Sequence, residues 1–193
     1  MSIFDRINLP PLLFNLPRNP VIAVGLPVVL GTLSGYPTSK VVKSRWYEAQ
    51  RAPPGAPPRQ TFPIVWPILY ASMGYASHLT IKTYDTSLSP AIKDAALTGL
   101  KMYWVQLGLN LAWTPLFFLW KKKGLALIDI AALTSTVVAM TRTLHEPTEG
   151  ATTYLLAPYC AWLSFATYLN GGYWWLNCGT HDGSMSFPRR GEY

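Results

Sequence analysis

The sequence predicts an all-α membrane protein, a bundle of five transmembrane helices. Half of its 193 residues are hydrophobic and only 13% are charged, whereas charged residues make up about a quarter of an ordinary soluble domain. Five apolar segments follow one another along the chain, and each is long enough for a hydrocarbon layer that needs about 20 helical residues. None of them alternates apolar and polar residues in the manner of a membrane strand.

The chain divides into an N-terminal segment (1–20), a membrane domain (21–177) and a polar C-terminal tail (178–193). Because the N-terminal segment is rich in proline and has no small-residue cleavage site, it is a poor secretory signal, and we expect it to lie partly in the membrane interface. Within the domain the predicted spans are residues 21–42, 62–82, 95–120, 124–144 and 151–176.

The placement of lysine and arginine predicts the orientation of the bundle. With five spans, the N-terminus and the second and fourth connections share one side, whose six cations are Arg6, Arg18, Lys82, Lys93, Lys101 and Arg142. The other side holds ten: Lys40, Lys43, Arg45, Arg51, Arg59, Lys121, Lys122, Lys123, Arg189 and Arg190. The positive-inside rule therefore places the first loop and the C-terminus toward the cytosol.

A basic, proline-rich loop separates the first two spans. Arg51 and Arg59 enclose four prolines, and because each proline fixes φ and removes a backbone donor, the loop is stiff and not helical. The second span then carries Trp66, Tyr70 and Met73 on one side of a helix. A stiff loop that leads into such a stripe predicts the lid and the wall of a pocket for a flat, apolar ligand.

Two other spans carry stripes that mix polar and aromatic residues. The third span presents Gln106, Asn110, Trp113 and Phe117, and the fifth presents Tyr159, Trp162, Ala166, Leu169 and Tyr173. Polar groups within a span face protein or a cavity rather than lipid, so the stripes predict a central cavity; Gln106 and Asn110 could equally be hydrogen-bonded links between helices. Asp129, inside the fourth span, is expected to face inward to a partner.

Simpler structural roles account for other residues. Trp104, Trp120, Trp174 and Trp175 lie near span ends, where indoles anchor helices at the level of the headgroups. Gly31 and Gly35 form a G-x-x-x-G pattern, which allows close helix approach either within the chain or across a homodimer.

Several functional classes are not indicated. The net charge of +7 could suggest nucleic acid, but the cations lie between apolar runs and form no basic patch on a polar surface. The sequence has no zinc-ligand spacing, no paired carboxylates, no nucleophile elbow and no phosphate loop. It therefore predicts no catalytic residue, no metal and no required cofactor.

The motifs together carry a family resemblance. Trp46 and Tyr47 precede the proline-rich loop, and V-W-P-I-L-Y-A-S-M-G-Y follows it at 65–75. The later motifs are Q-L-G-L-N-L-A-W-T-P-L-F-F (106–118), A-L-I-D (126–129) and P-Y-C-A-W-L-S-F-A-T-Y-L-N (158–170). In order and spacing the chain resembles the TspO/MBR family of tryptophan-rich sensory proteins and translocator proteins over about residues 21–177.

The resemblance implies a five-helix bundle, often homodimeric, that binds porphyrins (protoporphyrin IX or haem), sterols and benzodiazepine-like molecules. Ligand-binding residues carried over by motif, together with Tyr70 from the stripe above, are Phe62, Trp66, Asn110, Trp113, Trp162, Ala166 and Leu169. The expected lid consists of Trp46, Arg51, Pro57, Pro58 and Arg59, with the two arginines positioned for porphyrin propionates. A mitochondrial outer-membrane location is expected from the same resemblance.

Three functional readings follow. The first is a binding protein for transport, sensing or homeostasis of tetrapyrroles or lipids. The second is a light- or oxygen-dependent breakdown of bound porphyrin, with Trp66 and Trp162 as electron donors. The third is a scaffold for other membrane proteins, in which ligand binding is a regulatory input.

Overall fold

The computed structural model describes residues 8–178, which form helices and connecting turns. Its five long helices, numbered here in chain order, are α1 (Pro20–Gly35), α2 (Phe62–Thr86), α3 (Pro90–Thr114), α4 (Lys123–His145) and α5 (Ala151–Leu176). The predicted all-α class is confirmed for this part of the chain. Residues 179–193, most of the predicted polar tail, lie outside the described residues.

Short helical elements occupy the connections. Pro11–Asn15 and Leu16–Arg18 precede α1, whereas Thr38–Val41, Arg45–Glu48 and Arg59–Thr61 lie between α1 and α2. A single π-helical stretch, Pro115–Leu119, extends α3. Pro115 begins this stretch because a proline cannot donate the backbone hydrogen bond that would continue the α-helix.

Three of the five predicted spans agree with the observed helices to within four residues at each end, and two do not. The first helix ends at Gly35 instead of residue 42, because the chain turns at Tyr36 and Pro37 before the next short helix begins. The third helix begins at Pro90 instead of residue 95, since proline suits the first helical position. Pro67 and Pro158 interrupt neither α2 nor α5, which continue through them.

The helices pack in sequence, and α5 returns to contact α2. Small residues allow the close contact of α1 with α2 at two points: a side chain at Gly31 would overlap the ring of Tyr70, and one at Gly74 would overlap the backbone of Ala23. Of the two glycines in the G-x-x-x-G pattern, Gly31 therefore serves packing within the chain, whereas Gly35 has open space around it.

Within residues 8–178, two helical stretches are long and apolar enough to cross a membrane, by length and composition alone. They are Pro20–Val41, with 22 residues, and Lys123–His145, with 23 residues. Large apolar side chains also face outward elsewhere, for example Ile64 on α2 and Tyr154 on α5, which are 64% and 84% exposed.

The N-terminal segment packs along α2 and α3. Arg18 forms an ion pair with Asp85 at 2.8 Å, and the ring of Phe14 meets that of Tyr84 edge to face at 5.2 Å. Trp104 Nε1 donates to the carbonyl of Leu13 at 3.0 Å. Trp104 lies in the middle of α3, so its predicted position near a span end is wrong, and its indole holds the N-terminal segment against the helix.

Candidate ligand-binding site

The polar residues of α3 form a buried network that joins three helices. Asn110 Oδ1 accepts a hydrogen bond from the Tyr70 hydroxyl at 2.5 Å, and Asn110 Nδ2 donates to the Tyr159 hydroxyl at 2.8 Å. Tyr159 in turn donates to Gln106 Oε1 at 2.9 Å, and Gln106 Nε2 approaches the Met73 sulfur at 3.2 Å. Two roles were predicted for Gln106 and Asn110, and in the structure both residues act as hydrogen-bonded links between helices.

A second network orients the indole of Trp113. Its Nε1 donates to Asn170 Oδ1 at 2.9 Å, and Asn170 Nδ2 donates to the carbonyl of Lys123 at 3.0 Å. The Lys123 ammonium donates to Gln50 Oε1 in the loop after α1. One buried amide on α5 therefore connects the aromatic residue of α3 to the start of α4.

Aromatic pairs line the region where α2 approaches α5. The rings of Phe62 and Trp162 meet edge to face at 5.8 Å, and Trp66 lies 5.7 Å from Tyr70. Phe62, Trp66 and Trp162 are each partly buried. Phe62 and Trp162 come from different helices, so their contact depends on how α2 and α5 pack, whereas Trp66 and Tyr70 are neighbours within α2.

An apolar cavity of about 540 Å³ opens between α2 and α5. Three residues of α2 and four of α5 line it: Val65, Ile68, Leu69, Pro158, Ala161, Trp162 and Phe165. Of the eight predicted ligand-binding residues, Trp162 lines this cavity. Trp66 packs against the ring of Tyr70, and Tyr70, Asn110, Ala166 and Leu169 are buried.

Two polar atoms are buried without a hydrogen-bond partner among the described residues. They are Trp162 Nε1, beside the cavity, and Asp129 Oδ2, on α4. The expected inward partner of Asp129 is therefore not supplied by this part of the chain. An unpaired indole N–H at a cavity is a donor that a ligand or a water could satisfy.

The proline-rich loop is fixed to the last turns of α5. Tyr168 donates from its hydroxyl to the carbonyl of Pro54 at 3.0 Å, and Asn177 hydrogen-bonds to the backbone of Arg51. Pro53 is buried against Gly172, where an added Cβ would lie 2.5 Å from the Pro53 Cβ. These contacts hold the loop over one end of the bundle.

The remaining lid residues lie at the same end. Arg59 donates to the carbonyl of Val42 at 2.6 Å, and its guanidinium stands 5.1 Å from the ring centre of Tyr47. The Lys121 ammonium stands 5.0 Å from the Trp46 ring centre. Pro57 is partly buried, whereas Pro58 and Arg51 are exposed.

Sequence reasoning missed the residues that fix the lid. Gly172 and Asn177 lie outside every motif, and Tyr168 and Asn170 lie within the last motif but were given no role of their own. A faint signal was present, since Asn170, Gly172 and Asn177 are small or polar residues at the end of a long apolar helix. The loop partners of Tyr168, Gly172 and Asn177 lie more than a hundred positions earlier in the chain, and no local pattern indicates such pairs.

Fold and site together define a helical, membrane-associated protein with an apolar cavity between α2 and α5 and a proline-rich loop fixed over one end of the bundle. The TspO/MBR family matches the chain over residues 23–176. The chain therefore belongs to the TspO/MBR family, as the sequence motifs predicted.

Curated relatives come from fungi, animals and bacteria. A "Translocator protein homolog" of Schizosaccharomyces pombe is 39% identical over 68% of this chain and 77% of its own length. The human "Translocator protein" is 36% identical over 72% of this chain and 79% of its own length. A "Tryptophan-rich protein TspO" of Chlorobaculum tepidum is 32% identical over 77% of this chain and 89% of its own length.

Proposed function

We propose that the protein binds flat, apolar ligands of the tetrapyrrole type, protoporphyrin IX or haem first among them, within a membrane that its five long helices cross. The observation that carries the proposal is the apolar cavity between α2 and α5, with Trp162 in its wall. Its volume of about 540 Å³ is within the usual range of small-molecule sites, about 300–1,000 Å³.

Five membrane crossings are supported by helix length and by the outward apolar residues. The helices α2 to α5 have 23 to 26 residues, and at about 1.5 Å per residue each exceeds a hydrocarbon layer of about 30 Å. The first crossing is supported by the 22-residue stretch Pro20–Val41. We place the protein in the mitochondrial outer membrane, with the loop and the C-terminus toward the cytosol.

Ring chemistry supports a flat ligand. Aromatic faces stack or meet edge to face with another π-system at centroid distances of about 4.5–7 Å, and the indole of Trp162 already meets Phe62 in this manner. A porphyrin that displaced the Phe62 ring would gain the same contact. The loop cations Arg51 and Arg59 lie at the end of the bundle where propionates would be met.

Other ligands and roles form the finer part of the proposal. Sterols and benzodiazepine-like molecules are apolar and of suitable size for the same cavity, and the name translocator protein, which several relatives carry, is consistent with transport. We extend the proposal to a homodimer whose contact would be the outward face of α1, where Gly35 has open space around it.

The test is a titration of the purified protein with protoporphyrin IX in the dark, followed by porphyrin absorbance and emission. Trp162→Ala, at the indole that lines the cavity, and Trp66→Ala, at the tryptophan that the family resemblance assigns to the pocket, should each weaken binding by about 1–3 kcal/mol, the loss typical of a removed stacking platform. Trp175→Ala is the matched control, because that indole is 75% exposed at the end of α5. Unchanged dissociation constants in both pocket variants would refute the proposed site.

The same preparation distinguishes the roles. Porphyrin absorbance that is lost under light in the wild type, but retained in the double variant Trp66→Phe with Trp162→Phe, would indicate breakdown of the ligand. Porphyrin movement into liposomes without chemical change would indicate transport. Tight binding with neither outcome would indicate a sensor or a scaffold.

A further inference from the structure

The end of the bundle that carries the proline-rich loop, named here the basic end, is strongly cationic. Among the described residues it exposes seven cations, which are Lys40, Lys43, Arg45, Arg51, Arg59, Lys121 and Lys122. Among the described residues, Glu48 is the exposed acidic side chain at this end. The opposite end is mixed: it carries Arg18, Lys82, Lys93 and Arg142 together with Asp85, Asp94, Glu146 and Glu149.

One of these cations, Lys121, lies close to an indole, and Arg45 and Lys122 are sequence neighbours of that pair; none of the three has an acidic partner within residues 8–178. Arg45 precedes Trp46 directly, and the Lys121 ammonium stands 5.0 Å from the centre of the Trp46 ring. Lys122 follows on the turn between α3 and α4. None of the three forms an ion pair with another residue of the described range 8–178. Their charge therefore has to be met from outside this part of the chain.

The depth of these cations can be inferred from neighbouring aromatic residues. Trp120 and Trp175 are 65% and 75% exposed at the same end of the bundle. Exposed tryptophans at the ends of membrane helices lie at the level of the lipid headgroups. Because Lys121 and Lys122 follow Trp120 directly, their ammonium groups reach the height of the lipid phosphates.

We propose that Arg45, Lys121 and Lys122 form a binding surface for anionic phospholipid headgroups in the leaflet at the basic end. A net negative lipid fits this surface better than a zwitterionic one, because the ammonium group of the latter would face three unpaired cations. Each cation near a membrane surface raises affinity for anionic lipid about fivefold. The inference rests on the membrane embedding in the proposed function, but it does not depend on porphyrin binding.

The experiment uses the full chain reconstituted in phosphatidylcholine vesicles that contain brominated phosphatidylglycerol. Bromine quenches tryptophan fluorescence on contact, and the exposed indoles Trp120 and Trp175 report on the basic end. We expect brominated phosphatidylglycerol to quench more than brominated phosphatidylcholine at equal mole fraction. The preference should fall as salt rises, because exposed charges are screened.

The variant to compare combines Arg45→Gln, Lys121→Asn and Lys122→Gln. Asparagine is chosen at position 121 because the backbone there has φ of 57°, a conformation that asparagine tolerates better than most residues. The anionic preference of this variant should be at least about fivefold lower than that of the wild type. A charge-retaining variant, Arg45→Lys with Lys122→Arg, should keep the preference.

The matched control removes three cations from the opposite end, by Lys82→Gln, Lys93→Gln and Arg142→Gln. It has the same net charge as the first triple variant, so an equal loss in both would assign the effect to overall charge and overturn the proposal. Equal quenching by both brominated lipids in the wild type would also overturn it. So would binding of soluble polyglutamate through the same three cations without any lipid preference, since the surface would then serve an acidic protein.

The lipid experiment and the porphyrin titration can fail independently of each other. If protoporphyrin IX fails to bind while the lipid preference persists, the porphyrin proposal is wrong and the lipid surface stands. If brominated phosphatidylcholine causes no quenching, the chain does not insert, and both the membrane embedding and the lipid surface are refuted.

Discussion

Asn177 pairs with both backbone groups of Arg51, which lies 126 positions earlier in the chain. Its Oδ1 accepts from the Arg51 N–H at 3.0 Å, and its Nδ2 donates to the Arg51 carbonyl at 3.1 Å. The same Nδ2 donates to the carbonyl of Tyr173 at 2.8 Å, so the side chain also closes the end of α5. One buried amide therefore couples the lid loop to the helix that carries Trp162.

Replacing this amide should release the loop. Asn177→Ala leaves the Arg51 N–H and carbonyl without that partner, and a lost buried hydrogen-bond partner costs about 1–3 kcal/mol. We expect trypsin to cleave after Arg51 faster in Asn177→Ala than in the wild type. Asn15→Ala, at the opposite end, is the control that should leave this cleavage unchanged. Equal cleavage rates in Asn177→Ala and the wild type would show that the loop is held by other contacts.

Two adjacent glycines of α5 provide a second test of the loop. An alanine at position 172 would bring its Cβ within 2.5 Å of the Pro53 Cβ, whereas one at position 171 would meet Leu127 Cδ1 at an ordinary 3.7 Å. Gly172→Ala should therefore displace the loop, raise tryptic cleavage after Arg51 and weaken porphyrin binding. Gly171→Ala should be neutral or add up to about 1 kcal/mol of helix stability.

The comparison of the two glycine variants is made by thermal unfolding and proteolysis in the same detergent. Because both variants add one methyl group to the same helix, a general effect on α5 would appear in both. Identical proteolysis patterns in Gly172→Ala and Gly171→Ala would mean that Pro53 shifts without moving the rest of the loop.

The buried network around Tyr159 should contribute to stability. Tyr159→Phe removes the hydroxyl that accepts from Asn110 and donates to Gln106, and leaves both amides short of a partner. We expect a loss of about 1–3 kcal/mol in the free energy of unfolding, measured by denaturation in mixed detergent. Hydrogen bonds between membrane helices average only about 0.6 kcal/mol, so a value near the lower bound is expected.

The control for this variant is Tyr154→Phe, on the same helix. Tyr154 is 84% exposed, so removal of its hydroxyl should leave the free energy of unfolding almost unchanged. If both phenylalanine variants unfold alike, the network does not stabilise the bundle.

The ion pair between Arg18 and Asp85 predicts a pH dependence at the N-terminal segment. The hydrogen bond from Arg18 lowers the pKa of the Asp85 carboxyl below its ordinary value, against a smaller opposing effect of burial. Asp85 lies beyond the second predicted span, which ends at Lys82. Because the folded pKa is depressed, the stabilisation is complete above the unfolded pKa of about 4 and is lost as pH falls through the folded value.

Melting temperatures at several pH values check this dependence. Asp85→Asn should lower stability by less than about 1 kcal/mol at neutral pH, since both side chains are largely exposed. The difference from the wild type should shrink as the pH is lowered below about 4. Asp94→Asn serves as the control, because Asp94 forms no ion pair among residues 8–178. A constant difference across the pH range would contradict the role of the ion pair.

The sequence by itself determined the helical class, the family and the identity of the polar residues in the spans. Apolar length and the periodic positions of Gln106, Asn110 and Tyr159 follow from local patterns, because residues three or four apart share one face of a helix. The start of α3 at Pro90 and the end of α1 at Gly35 were harder to predict, because the apolar composition begins after Pro90 and continues past Gly35.

Only the tertiary structure decided which of these residues meet. Whether Asn110 lines a cavity or joins Tyr70 to Tyr159 depends on the rotation and approach of three helices, and many arrangements share the same periodicity. The pairing of Arg51 with Asn177 and the packing of Pro53 on Gly172 join positions more than a hundred residues apart. Such contacts are fixed by shape and hydrogen bonding across the assembled bundle, because the patterns within each helix specify a face but not its partner.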